Sequence, residues 1–271
     1  MTKFIFIAPI LVLLFSGCEK VIDVDLNETN PVIVIEGILT SNPDSAYVRI
    51  SRTTSYFDNN PQEVVGGAIV KITDNKGHEF ELHENAGMYV SNSVLTYFDT
   101  EYTLTVDVEG TVYKSSSTIH RTVYIDSLSV VANDSYSVFM DGYNVNMYFH
   151  DPQEENNYYR LKTFVNGEPE DAPEDFIFFD DNNTNGKFVE VRIRRKVYEA
   201  GDTVTYELQT LDKAAYEYFD AISEIIDDNS EGTASPANPN PNFSSGALGY
   251  FSAQTSNKKT IIIGSKNKSL E

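Results

Sequence analysis

The sequence predicts a mainly β protein, with an N-terminal immunoglobulin-like β-sandwich followed by a second β-rich domain that carries one helix. Tyrosine (17) and phenylalanine (16) are plentiful, tryptophan is absent, and valine, isoleucine and threonine recur in short runs. This composition favours strands. In the first half the runs return about every ten residues with turn residues between them, which is typical of a sandwich. The spacing of an amphipathic helix occurs in one long segment only.

The first sandwich is predicted over residues 29–120, and two hairpins are its clearest local signals. Residues 74–77 (DNKG) separate two β-rich runs, and Gly77 can adopt the positive φ that such a turn requires. Glu109 and Gly110 separate a second pair of runs in the same way. The predicted strands are 32–39, 46–51, 68–73, 78–83, 102–108 and 111–119, with a further strand beginning near residue 89.

The second β-rich domain is predicted over residues 121–271, with its helix near 212–227. Apolar residues in that segment recur three and four apart, and Asp212 is the predicted N-cap. Ala215 stands where a full capping box has Glu or Gln. Prolines predict an irregular loop over 231–242. The predicted strands are 127–132, 144–149, 158–165, 176–179, 188–194, 203–210, 247–254 and 259–263.

The N-terminal segment has the pattern of a bacterial lipoprotein signal. Lys3 precedes an apolar run of 12 residues, and small residues follow just before Cys18, the single cysteine of the chain. A membrane-spanning helix needs about 20 residues, so the run is predicted to be a signal peptide, residues 1–17. The resemblance implies cleavage before Cys18 and acylation of its thiol, with palmitate among the acyl chains. An ordinary secretory signal with a chance cysteine is the alternative. Residues 18–28 are predicted to be an acidic tether.

The acidic composition excludes two classes of partner. The formal net charge is −21, and removal of the signal peptide with its one lysine makes it (20 − 1) − 41 = −22. Phosphate backbones and anionic lipid surfaces are bound by clusters of Lys and Arg. We therefore predict a protein that binds neither nucleic acid nor an anionic membrane surface through its folded part.

The sequence predicts no enzymatic activity. It contains no GxSxG elbow, P-loop, HExxH helix or CxxC pair. Its 41 acidic residues make accidental carboxylate pairs common, so such pairs carry no information by themselves. The predicted catalytic set is therefore empty.

One segment matches the first half of a calcium loop. Asp181, Asn183 and Asn185, followed by Gly186, fit D-x-[DN]-x-[DN]-G, a spacing that lets alternate oxygens converge on one ion. Position twelve, which supplies a bidentate Glu in such loops, is Arg192. A hairpin loop rich in Asn, Asp and Gly is therefore the competing interpretation, and a β-loop calcium site through Asp180 or Asp181 stays open. No other cofactor is predicted.

A second candidate site lies in the loop SYFDNNP. Tyr56, Phe57 and Asp58 combine two aromatic rings with a carboxylate at the end of the predicted first sandwich, where they could contact a ligand. The alternative is that these rings pack on the domain itself.

Several residue runs in their order resemble the Bacteroidota lipoproteins of the DUF4249 family. The runs are CEKVIDVDL, PVIVIEGILT, YFDNN followed by VGGAIVKITDNKG, DPQEENNYYRLK, AGDTVTYELQTLDKAAYEYF and NPNPNFSSGALGYFSA. The resemblance implies an outer-membrane lipoprotein with an immunoglobulin-like first half, on the cell surface or on the periplasmic side. It also implies an accessory or binding role beside a TonB-dependent receptor. A structural or adhesion-type lipoprotein that makes only protein contacts is the alternative.

Overall fold

The computed structural model describes residues 31–41, 44–54, 62–132, 142–153, 155–172, 175, 177–193, 197–231 and 239–264. The predicted signal peptide, Cys18, the acidic tether and the loop residues Tyr56, Phe57 and Asp58 lie outside this part. The described chain is mainly β with sandwich-like sheets and one helix, as predicted. The residues from Pro31 onward belong to one compact unit.

Seven strands build the first half of the fold. β1, β2 and β5 pair side by side, β4, β3, β6 and β7 form the other side, and β4 also pairs with β5. Alternate side chains of both sides meet in a core in which Ile35, Val48, Ile72 and Leu104 are fully buried. The bounds are β1 (Ile33–Ser41), β2 (Ser45–Arg52), β3 (Ile69–Asp74), β4 (Glu79–Asn85), β5 (Met88–Ser91), β6 (Thr100–Val108) and β7 (Thr111–Ile119).

Both predicted hairpins of this half are confirmed. β3 pairs with β4 and β6 pairs with β7, in each case antiparallel. At the first turn, Asp74 accepts hydrogen bonds from the backbone amides of Lys76 (2.9 Å) and His78 (2.8 Å). Gly77 adopts a φ of 90°, as the turn requires.

The second half has its own core between two sheets. β13, β9 and β8 form a three-stranded sheet, which packs on β10, β14 and the end of β15. Phe149, Tyr159, Leu161 and Tyr206 are fully or almost fully buried there. The bounds are β8 (Ile125–Ala132), β9 (Tyr143–His150), β10 (Tyr158–Val165), β11 (Glu168–Pro169), β12 (Ile177–Asp180), β13 (Phe188–Arg192), β14 (Thr203–Leu211), α1 (Lys213–Glu231) and β15 (Leu248–Ile262).

The last strand belongs to both halves. Residues 248–255 of β15 pair in parallel with β1, and residues 255–262 pair antiparallel with β14. Phe251 contributes to the first core and Ile261 to the second. The two short strands predicted at the C-terminal end are therefore one strand of 15 residues, because each half of it finds a different partner. The predicted domain boundary near residue 120 stays a prediction.

The helix α1 begins where the sequence predicts. Asp212 Oδ1 accepts a hydrogen bond from the amide of Ala215 at 2.7 Å, which makes Asp212 the N-cap. The same carboxylate accepts the amide of Thr118 through Oδ2 at 3.1 Å, so it also attaches the start of the helix to β7. The helix ends at Glu231, four residues later than predicted. Within the described residues, no helix is long and apolar enough to cross a membrane.

Candidate ligand-binding site

The large sheet has an outer face that turns away from both cores. On β14, Val204, Tyr206 and Leu208 point into the second core, so Glu207 and Gln209 lie on the other side. The same alternation places Arg160 and Lys162 of β10 on this outer face. On β15 it places Ser252, Gln254 and Lys258 there.

Several polar side chains of the outer face are withdrawn from water. Glu207 is 8% exposed, Gln209 and Gln254 are each 4% exposed, and Ser252 is fully buried. Polar groups on the outside of a sheet normally face solvent, and burial costs free energy when their hydrogen bonds are not replaced. The burial makes this face unlike an ordinary solvated sheet surface.

Basic residues surround Glu207. Cross-strand pairing places Lys162 opposite Glu207 on one side and Lys258 opposite it on the other. Lys258 Nζ lies 3.2 Å from Glu207 Oε2. Arg160 occupies the next row and faces Gln209 across the β10–β14 pair. We call Arg160, Lys162 and Lys258, together with Glu207 and Gln209, the basic patch.

Hydrogen bonding within the basic patch is incomplete. Gln209 donates from Nε2 to Glu207 Oε1 at 3.1 Å. Its Oε1 atom is buried and accepts no hydrogen bond in the described structure. A buried carbonyl oxygen without a donor costs about 1–3 kcal/mol, so a donor supplied from outside would stabilise it.

Aromatic rings hold the basic side chains in place. The guanidinium carbon of Arg160 lies 5.1 Å from the ring centre of Phe219 and 5.5 Å from that of Phe178. Lys258 Nζ lies 5.0 Å and Lys162 Nζ 5.9 Å from the ring centre of Phe164. Cation–π contacts of this kind fix the cations without neutralising their charge.

The helix α1 covers one end of the outer face. Phe219 packs edge-on against Tyr250 with ring centres 4.6 Å apart and stacks on Phe178 at 5.6 Å. Tyr216 lies 5.1 Å from Tyr158. Burial raises the pKa of Tyr216 to about 12, so its hydroxyl stays protonated.

The electrostatics of the basic patch reflect burial of positive charge. Burial lowers the pKa of Arg160. Burial also lowers the pKa of Lys162, and the neighbouring charge of Arg160 lowers it further. The patch remains open to solvent at Lys258, whose side chain is 56% exposed.

The predicted calcium loop lies elsewhere, between β12 and β13. Asp181 is 2% exposed, and its main-chain oxygen accepts the amides of Thr184 and Asn185, both at 2.8 Å. Asn183 and Asn185 are exposed. The three predicted ligands therefore do not share one environment.

Asp181 instead lies beside another buried carboxylate. Asp151 accepts the hydroxyl of Tyr159 at 2.5 Å and the amide of Gly186 at 3.0 Å. Burial raises the pKa of Asp151, and the charge of Asp181 raises it further. Among the described residues, no group of three or more His, Cys, Asp or Glu side chains could hold a metal. Calcium binding by this loop stays a prediction.

Sequence reasoning did not find the basic patch. The alternation of YYRLKTFV and TYELQT around Arg160, Lys162, Glu207 and Gln209 is visible, but it reads as an ordinary half-exposed strand. The pairing of β10, β14 and β15 is what brings these residues together, and it joins segments far apart in the chain.

Comparison with known proteins identifies a family. The model of a domain of unknown function (DUF4249) matches residues 19–260. The chain belongs to the DUF4249 family. The DUF4249 match includes the whole first core, the second core except Ile261 and Ile263, and every residue of the basic patch. No curated protein matches this chain.

Among solved structures, a two-domain fibronectin type-III segment from chicken tenascin matches with 13% sequence identity. The match covers 67% of this chain and 91% of that chain, with a TM-score of 0.22.

Proposed function

We propose that the protein is a lipid-anchored outer-membrane binding module that works beside a TonB-dependent receptor. Cys18 would carry the lipid anchor, and the basic patch would be the ligand site. The observation behind the binding role is the outer face, on which Glu207 and Gln209 are buried and Arg160 lies against the rings of Phe178 and Phe219. A surface used only for solubility has no need to bury Glu207 or Gln209.

Binding without chemical conversion fits the residues of the patch. It combines cations, a paired carboxylate and an amide, but offers no nucleophile with an adjacent base. Ligand capture beside a transporter needs recognition alone. Ligand sites commonly combine a few convergent polar groups with aromatic side chains.

The test is affinity purification of the native lipoprotein from gently solubilised outer membranes. We expect a TonB-dependent receptor to co-purify in stoichiometric amount. A Cys18→Ser variant should lose membrane attachment and receptor together. Recovery of the lipidated, folded protein alone would contradict the proposed partnership.

A second candidate role is adhesion through protein contacts, which one exposed loop favours. Leu95, Tyr97 and Phe98, between β5 and β6, are 55%, 45% and 47% exposed. Clustered exposed apolar side chains are typical of protein-interaction surfaces. A Phe98→Ser variant that loses a captured partner, while an Arg160→Gln variant keeps it, would favour this role.

A further inference from the structure

We propose that Asp151 and Asp181 together bind a calcium ion between the loop that follows β9 and the loop that follows β12. This site is separate from the basic patch, and the proposed binding role does not depend on it. It also differs from the calcium loop predicted from the sequence, because Asn183 and Asn185 are exposed and are not among its ligands.

Hydrogen bonds between the two loops bring the two acidic residues together. Asp151 Oδ2 accepts the amide of Gly186 at 3.0 Å, and the amide of Asp151 donates to the main-chain oxygen of Lys187 at 2.9 Å. In the other direction, the amide of Asp181 donates to the main-chain oxygen of Asn157 at 3.2 Å. Each acidic residue is therefore attached to the loop that carries the other.

Burial makes the neighbouring negative charges costly. Asp151 is 5% exposed and Asp181 is 2% exposed. Burial raises the pKa of Asp151, and the charge of Asp181 raises it further. Like charges repel more strongly in the protein interior than in water, because the effective dielectric constant is lower there. A positive charge between the two carboxylates would remove this repulsion.

The basic side chains of the surrounding segments are engaged elsewhere. Lys187 Nζ donates to the main-chain oxygen of Asn183 at 2.9 Å, and His120 Nδ1 lies 3.2 Å from Glu155 Oε2. Within the described part of the chain, no basic side chain forms an ion pair with Asp151 or Asp181. The described residues therefore do not supply the positive charge that the pair requires.

One oxygen of Asp181 points to a ligand independently of the charge argument. Asp181 Oδ2 is buried, and no hydrogen-bond donor of the described residues reaches it. Asp151 differs, because its Oδ1 accepts the hydroxyl of Tyr159 at 2.5 Å and its Oδ2 accepts the amide of Gly186. A buried carboxylate oxygen without a partner is costly. A cation bound at Asp181 Oδ2 would satisfy this oxygen and balance both carboxylates.

Calcium fits the chemistry of the pair. It binds carboxylate, amide and main-chain oxygens together with water, so two carboxylates suffice when neutral oxygens complete its shell. Among the described residues, no third acidic, His or Cys side chain joins them to form a metal-binding group. Asn157, which is 2% exposed and adjoins Asp181, carries a neutral candidate oxygen. With two charged ligands, we expect a Kd of about 10⁻⁴–10⁻³ M.

The test is differential scanning calorimetry of the full-length lipoprotein in detergent. Metal ions are first removed with EDTA and dialysis, and calcium chloride is then added up to about 10 mM, well above the expected Kd. We expect the melting temperature to rise with calcium concentration, because a ligand that binds only the folded state stabilises it. Magnesium at the same concentration should raise it less, because magnesium gives up its bound water reluctantly.

Variants connect the effect to the two carboxylates. Asp181→Asn should abolish the rise with calcium. Without calcium this variant should melt no lower than the wild type, because the repulsion from Asp151 is gone; a purely structural role of Asp181 would lower its melting temperature instead. Asn183→Ala is the matched control, because Asn183 is exposed in the same loop and should leave the full rise. If Asp181→Asn fails to fold, Asp151→Asn serves in its place.

Three outcomes would overturn the inference. The first is a wild-type melting temperature that calcium does not change, which would mean that a proton rather than a metal ion neutralises the pair. The second is a calcium-dependent rise that Asp181→Asn retains. The third is a rise that Asn183→Ala abolishes, which would place the ion in the calcium loop predicted from the sequence. Co-purification of a receptor tests the proposed function separately.

Discussion

Replacing Gly249 by alanine should separate β15 from β1. Gly249 has a φ of 98°, and a Cβ atom there would lie 2.1 Å from the carbonyl oxygen of Ile35, its partner in the parallel ladder. That oxygen cannot move freely, because Ile35 also pairs with Ile50 on the other side. The strands must therefore part at this point.

The expected cost can be worked out against a matched control. Gly77 has a similar φ of 90°, and a Cβ atom there would meet nothing within 4 Å. At either position, a left-handed backbone lowers the stability of an alanine variant by about 1–2 kcal/mol. The lower conformational entropy of the unfolded alanine chain offsets about 0.4–1 kcal/mol of this loss. Gly77→Ala should therefore cost about 1 kcal/mol. Losing two ladder hydrogen bonds of about 1 kcal/mol each brings Gly249→Ala to about 3 kcal/mol.

Urea unfolding measures the difference. The midpoint should fall about three times as far for Gly249→Ala as for Gly77→Ala, with the m-value unchanged. Equal midpoint shifts would refute the reasoning, because they would mean that β15 does not approach β1 as closely as the register requires.

Three further predictions concern the helix and the first hairpin. Asp212→Ala should lower the free energy of unfolding by about 1–2 kcal/mol in urea titrations, because the N-cap is lost, and Asp212→Asn should lose less. Phe219→Ala should lower the free energy that holds α1 on the sheet by about 3–5 kcal/mol, because the Phe219 ring packs against Tyr250 with ring centres 4.6 Å apart. The measurement is hydrogen exchange of the helix amides, which should become faster. Burial by itself would raise the pKa of Asp74, but hydrogen bonds from the His78 ring and from backbone amides outweigh it and hold this pKa below 3.8. The stability that Asp74 contributes is therefore present above pH 3.8 and is lost as the pH falls through its lower pKa in the folded state. In urea titrations at several pH values, Asp74→Asn should reduce the loss of unfolding free energy at acid pH.

Local signals predicted the hairpins and the start of the helix. Gly77 with the DNKG turn, Glu109 with Gly110, and the Asp212 cap each depend on residues close in sequence, and the structure confirms them. Such elements follow from turn chemistry and capping, which a single sequence displays directly.

Long-range pairing was not visible in the same way. The parallel contact of β15 with β1 joins residues more than 200 positions apart, for example Ile35 and Gly249. The basic patch depends on the same kind of information, because Arg160, Glu207 and Lys258 become neighbours only when β14 lies between β10 and β15. Periodicity shows which face a side chain takes but not which strand lies beside it.

The outer face of the large sheet contains one part that is filled for stability and one part that is not. A sheet face beside a packed helix is most stable when filled with apolar residues, since burying paired charges repays desolvation poorly. Near Phe219 and Tyr250 the chain follows this rule. At Glu207 and Gln209 it does not, although the same strands could carry apolar side chains, and Arg160 lies directly against the Phe219 ring. A local departure from the packing rule within an otherwise consistent fold is where a binding role is expected. This contrast on one sheet is the strongest argument for assigning ligand recognition to the basic patch.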